Sequence, residues 1–219
     1  GAERLSALMQ CVEIRAQPAE FMQDELIERL KEEGGRHLSC NYVIKAASEG
    51  PSPWDVLMDV LNNIRTTIET LDLRGLQVQR EGSEPESPYC KASGELSVEV
   101  AKLPLSSLAK LKVLALDGAP GMFDVVDLRK SLKENTQLEV LCLTAPEREA
   151  FAAVGIRPAA LRVIVKHHLQ LTMLMADVYT DAGDSDSKAL IYDATIKLYS
   201  SIAKSGSLQK VDLRTDMEI

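Results

Sequence analysis

Aromatic side chains make up only 4% of this 219-residue chain, so a core has to be built from Leu, Val, Ile, Ala and Met. Those residues are present in number: apolar residues reach 45% against 26% charged, the balance of a folded globular protein. Basic clusters are lacking as well. No run of Lys and Arg exceeds two residues and the formal net charge is −8, which argues against a nucleic-acid partner, because gripping a phosphate backbone takes clustered cations. No apolar stretch reaches the 18 or so residues of a membrane-spanning helix, so no membrane insertion is expected. No signal-peptide pattern follows Gly1, although a targeting segment removed ahead of it stays open.

The four cysteines, Cys11, Cys40, Cys90 and Cys142, lie far apart with no C-x-x-C pair. That spacing suits neither a zinc site nor the dense disulfide framework of a small secreted domain. Three of them stand in apolar, strand-like stretches, where Cys acts as a small buried hydrophobe. A reducing, intracellular and cytoplasmic setting follows as the expectation.

Catalytic sets are missing too. His167 and His168 are adjacent, which puts them on neither one helix face nor one strand face, and His37 is remote. Asp181, Asp184 and Asp186 lack the ligand order of a calcium loop, and Gly118 and Gly121 lack the rest of a phosphate-binding loop. Ser52-Pro53 and Ser87-Pro88 are turn formers that phosphorylation would charge. The chain is read as a non-enzyme with no cofactor and no metal.

What the chain does have is a repeat. Residues 125–143, VVDLRKSLKENTQLEVLCL, open with helical period at Leu128 and Leu132 and close with strand period at Leu138, Leu141 and Leu143. The same six-position pattern, including Asn135, returns 70 residues later as Leu198, Ile202, Ser205, Leu208, Val211 and Leu213. Further copies are Ile68, Leu71 and Leu73, behind a helix carrying Leu57, Leu61 and Ile64, and Leu111, Leu114 and Leu116, where Pro104 interrupts any helix. Leu114 and Leu141 are 27 residues apart, whereas Leu71 and Leu114 are 43 apart. The 16-residue stretch 79–94, rich in Glu, Ser, Pro and Gly, makes up that surplus and reads as a surface insertion.

The phrases SLKENTQLEVLCL and SIAKSGSLQKVDL resemble the helix-then-strand unit of ribonuclease-inhibitor-type leucine-rich repeats, over roughly residues 53–145 and 187–216. Leu76, Ala119, Pro146 and Asp216 occupy the place of that family's usual Asn, so the repeats are irregular. The resemblance implies an α/β solenoid with a parallel inner sheet and outer helices, acting as a non-catalytic module that binds another protein. Between the good repeats, Pro158 opens a helix to His168, and Leu171, Leu174 and Ala176 form the next strand. The rival is a strand at residues 162–166. Near the start, residues 21–33 read as an acidic amphipathic helix stopped by Gly34 and Gly35, with strands at 38–44 and 8–14; residues 1–50 are an atypical part of the one domain.

Alternation along each strand then assigns a recognition face. With the leucines inward, Thr70, Asp72 and Arg74 point outward, as do Val113, Ala115 and Asp117, then Val140, Cys142 and Thr144, then Lys210, Asp212 and Arg214. Val113, Ala115, Val140 and Cys142 make an apolar centre with charges around it, the anatomy of a protein interface; the rival occupant is a loop of the same chain, such as 79–94. The last repeat, ending soon after Leu213, predicts self-association through an uncapped edge. Against all this stands a compact α/β enzyme or small-ligand domain, with its site at the strand C-termini near residues 117–121 and 144–147.

Overall fold

A computed structural model of the chain describes residues 18–88, 103–117, 132, 135–144, 156–178 and 185–215. Within them the protein is α/β, with parallel strands in two sheets and four helices. Strands β1 (Ala19–Met22), β3 (Tyr42–Ala46) and β5 (Gln77–Arg80) form the smaller sheet, in the order β1-β3-β5. The larger sheet has six strands: β2 (His37–Leu38), β4 (Thr70–Asp72), β6 (Val113–Asp117), β7 (Val140–Thr144), β8 (Met173–Asp177) and β9 (Lys210–Arg214). They lie side by side in chain order, and every pair is parallel.

One hydrogen-bond motif leads into each neighbouring strand of this sheet. The carbonyls of Arg36, Glu69, Lys112, Glu139 and Thr172 each accept two consecutive backbone N–H groups, at 2.7–3.1 Å, from the residues that enter the next strand. The motif sets the register, and the register aligns the leucines. Leu38, Leu71, Leu114, Leu141 and Leu174 share one row, all fully buried. Each such side chain is worth about 1.5–3 kcal/mol in removal from water.

The helices α1 (Gln23–Glu32), α2 (Pro53–Ile64), α3 (Pro158–His167) and α4 (Ser185–Ala203) pack their apolar stripes on that core. Helix α2 starts where its sequence says it should. Ser52 accepts the Asp55 N–H at 3.2 Å, Asp55 returns a bond to the Ser52 N–H, and Pro53 occupies the first turn. Helix α1 stops at a glycine pair. Gly35 N–H reaches Leu30 O and Gly34 N–H reaches Lys31 O, with φ of +61° and +81°. A Cβ on Gly35 would also run into the Thr67 hydroxyl, so glycine is needed there twice over. The Pro158–His167 helix and the strand carrying Leu174 and Ala176 both form as expected, and no strand spans 162–166.

Three expectations are corrected. The helix expected over 21–33 begins only at Gln23; Ala19–Met22 is a strand paired with β3, where Phe21 meets Tyr42 edge-to-face at 5.4 Å. The single strand expected over 38–44 is two strands in different sheets. Ser39 causes the break, because its hydroxyl accepts the Asn41 N–H and turns the chain between them. The insertion expected from residue 79 starts later: Gln79 and Arg80 belong to β5, which buries Val78 and pairs with β3. The expected strand at 8–14, residues 89–94, 118–121 and 181–184, Cys11, Cys90 and most of 125–134 lie outside the described residues.

Candidate protein interface

Eleven of the twelve residues assigned to a recognition face fall in register. Thr70, Val113 and Val140 are successive partners across β4, β6 and β7, and the row continues through Met173 to Lys210. The next row runs Asp72, Ala115, Cys142, Met175, Asp212, and the third pairs Asp117 with Thr144 and Asp177 with Arg214. Arg74 follows β4 and is tied to it by Asp72. Strand β8 contributes Met173, Met175 and Asp177 between the third and fourth triplets, so the face is one strand wider than the four triplets alone.

Burial divides that face. Val113, Ala115, Val140 and Cys142 are 2%, 0%, 5% and 3% exposed, so the apolar centre expected to be open is closed. Val113, Val140 and Met173 form a second small hydrophobic cluster with Met175 against it. The sheet therefore does not have one buried and one wet face throughout; β6 and β7 are buried on both sides. Their sequences, VLAL and VLCL, are continuously apolar, as strands covered on both faces are.

Two ion pairs flank the buried centre. Asp72, only 4% exposed, takes Arg74 Nε at 2.9 Å and Nη2 at 2.6 Å in a two-point fork. Arg74 Nη1 lies 3.6 Å from Cys142 Sγ, two strands away, so the guanidinium spans the small Ala115 between them. Burial works against the Arg74 charge, but the hydrogen bonds and charge of Asp72 outweigh it and its pKa is raised. Asp177, fully buried, holds Arg214 through Nε at 2.6 Å and Nη2 at 2.8 Å and so ties β8 to β9. Cys142 is buried next to Arg74 and Met175, and burial pushes its thiol pKa up. These charges are spent on each other, which is a structural role rather than a chemical one. Among the described residues no group of His, Cys, Asp and Glu could hold a metal ion.

The outer strand differs. In the leucine row, five members are fully buried and the sixth, Val211 of β9, is 39% exposed. Lys210 and Asp212 beside it are exposed and Leu213 is half-buried. Helix α4 adds to the same end. Its core side carries Thr195 and Leu198, both buried. Tyr192, Ile196 and Tyr199 are 52%, 51% and 40% exposed, and they recur at helical spacing on a second stripe about 100–160° round the helix from Leu198. The sequence carries this signal, since apolar residues at 191, 198 and 202 and at 192, 196 and 199 wrap most of the helix. A periodicity read for one buried face passes over it.

No helix among the described residues is long and apolar enough to cross a membrane. Compared with protein families, with curated proteins and with solved structures, the chain matches none of them.

Proposed function

We propose that the chain is a leucine-rich-repeat solenoid serving as a non-catalytic protein-recognition module, an adaptor or a subunit of a larger assembly in a reducing intracellular compartment. The chain-order parallel strands and the hydrogen-bond motif used at every strand-to-strand step support the solenoid reading. The contact surface is the outer end made by β9 and α4, not the middle of the sheet. One observation carries this: in a row of six equivalent positions, Val211 alone is left 39% exposed. A polypeptide laid along β9 covers Val211, while apolar side chains of the same partner pack on Tyr192, Ile196 and Tyr199.

The test is a paired variant, Ile196→Asp with Val211→Asp. Both sites are exposed, so the unfolding curve should stay within about 1 kcal/mol of wild type. The wild type should self-associate in light scattering or retain a protein at fixed stoichiometry through affinity capture, and the variant should lose that association. Association that survives in the folded variant removes the end from the interface.

A further inference from the structure

A groove of about 580 Å³ lies along the C-terminal halves of α3 and α4. Its charge is out of keeping with a chain of net −8. Arg162 and Lys166 line it from α3, Lys197 from α4 and Lys204 from the residue after α4, and no carboxylate is among the described lining residues. Serine hydroxyls at Ser200, Ser201, Ser205 and Ser207 supply neutral hydrogen-bonding groups. Val165 and Leu169 supply an apolar wall, and Leu169 is 80% exposed. Arg162 and Lys166 are spaced i,i+4, and Lys197 and Lys204 i,i+7, so each pair shares a helix face.

Helix C-termini favour nearby cations, which accounts for Lys166 and Lys204 without a ligand. It does not account for Arg162 and Lys197, which lie more than a turn from their helix ends. Lys197 is paired with Asp193 at 2.5 Å, and the groove stays net positive after that pair is discounted. Arg162 adds an independent observation. Its Nε–H is buried and makes no hydrogen bond among the described residues, and a buried donor left in that state is rare in folded proteins.

We propose that this groove binds a phosphate monoester. Arg162, Lys166, Lys197 and Lys204 hold the phosphoryl oxygens, and the carbon part of the ligand rests on Val165 and Leu169. A phosphate monoester carries nearly two negative charges and three strong acceptors, which matches several cations and hydroxyls better than a single carboxylate does. The volume exceeds what inorganic phosphate fills and lies among small-ligand sites, which run from about 300 to 1,000 Å³. The monoester is either a small phosphorylated compound or a phosphorylated side chain of a polypeptide. The site depends on α3 and α4 alone and stands or falls separately from the β9 end.

Calorimetric titration of the full chain at fixed ionic strength tests it, with sulfate, inorganic phosphate, O-phosphoserine and a short phosphoserine peptide as probes. O-phosphoserine should bind at least about tenfold tighter than sulfate, and Arg162→Gln and Lys197→Ala/Lys204→Ala should each weaken it about tenfold with folding intact. A peptide that binds about tenfold tighter than free O-phosphoserine assigns the site to a polypeptide, and equal affinities assign it to a small compound; both support the groove. The proposal is overturned if no monoester binds below about 10 mM, or if folded variants bind as wild type does.

Discussion

Strands β7 and β9 occupy the same sheet, follow the same hydrogen-bond motif and present the same alternation, yet they live in different media. In β7 every residue from Val140 to Leu143 is buried; in β9 Lys210, Val211 and Asp212 are exposed. The backbone does not distinguish them, so the difference lies in what stands on either side. β7 has β6 and β8 as neighbours and apolar side chains on both faces, whereas β9 has β8 alone among the described residues. The repeat is thus a rule about backbone register, and side-chain burial is decided by position within the stack.

The sharpest way to break this comparison is to place the same charge at equivalent positions of the two strands. Val140 and Lys210 belong to one row, the first 5% exposed and the second on the exposed outer strand. Val140→Asp puts an unpaired carboxylate into the buried cluster with Val113 and Met173, and should cost about 4 kcal/mol or more, enough to unfold a marginal domain. Lys210→Asp should stay within about 0.5 kcal/mol. Urea unfolding of both variants checks the pair. Equal costs would mean that the burial of the middle strands is not maintained in solution. Val140→Asp is accordingly a folding variant and is unsuited to reporting on binding.

Much of this architecture can be read in the residues before any coordinates. Helical spacing at Leu57, Leu61 and Ile64, and at Leu198 and Ile202, places α2 and α4, and the L-x-x-L-x-L spacing puts Leu71, Leu114 and Leu141 in one row. Eleven of the twelve residues of the assigned face share rows for the same reason, because a parallel register carries a period from strand to strand. What escapes is of two kinds. Strands β1 and β2 are four and two residues long, too short for period 2 to stand out, and Phe21 fits a helical stripe as readily as a strand. The other kind is tertiary. Asp72, Asp117, Asp212 and Arg214 predict a wet face for the whole sheet, but they stand at strand ends or on strands away from the centre. VLAL, VLCL and MLMA, taken alone, carry the opposite signal of strands covered on both sides. Pooling the strands hides the change from the centre to the edge. The groove cations are hidden for a related reason, since Arg162 and Lys197 are 35 residues apart and only the packing of α3 on α4 brings them to one wall.

Ion pairs extend the same contrast at lower cost. Asp72 is buried and forked to Arg74, whereas Asp193 and Lys197 are each more than half exposed on α4. Removing one partner of a buried pair leaves an uncompensated charge, so Asp72→Ala should destabilise by about 3–5 kcal/mol. Asp193→Ala, one turn from its lysine, should change stability by about 0.3–0.5 kcal/mol, with the difference fading in high salt. Thermal unfolding at low and high salt separates them. A salt-sensitive loss in the Asp72 variant would place that pair in water after all.

The smallest effect concerns the turns that precede the strands, where the centre and the edge again part. Asn135, His168 and Ser205 each stand six residues before their strand's member of the leucine row; the first two are buried and Ser205 is half-buried. Asn135 donates its side-chain amide to Leu105 O at 2.7 Å, and the His168 ring bonds the Asn135 backbone carbonyl. The other ring nitrogen, Nδ1, is buried with no hydrogen-bond partner among the described residues. A proton added to His168 would sit in that site with no acceptor. Burial, helped by the neighbouring His167, therefore lowers its pKa, against the opposing pull of the Asn135 carbonyl. In the unfolded chain the ring returns to a pKa of about 6.5 and binds the proton that the fold refuses. Below that value the unfolded state carries more protons than the native one, so stability rises with pH. The His168 contribution is complete above about pH 6.5 and is lost as pH falls through the lower native value. His168→Gln keeps a donor for the Asn135 carbonyl and removes the titration. Between pH 7.5 and 5.5, above the range of ordinary carboxylates at about 4, wild type should lose more stability than this variant in urea unfolding. Parallel pH profiles would show that the His168 turn, like Ser205 at the edge, is open to water.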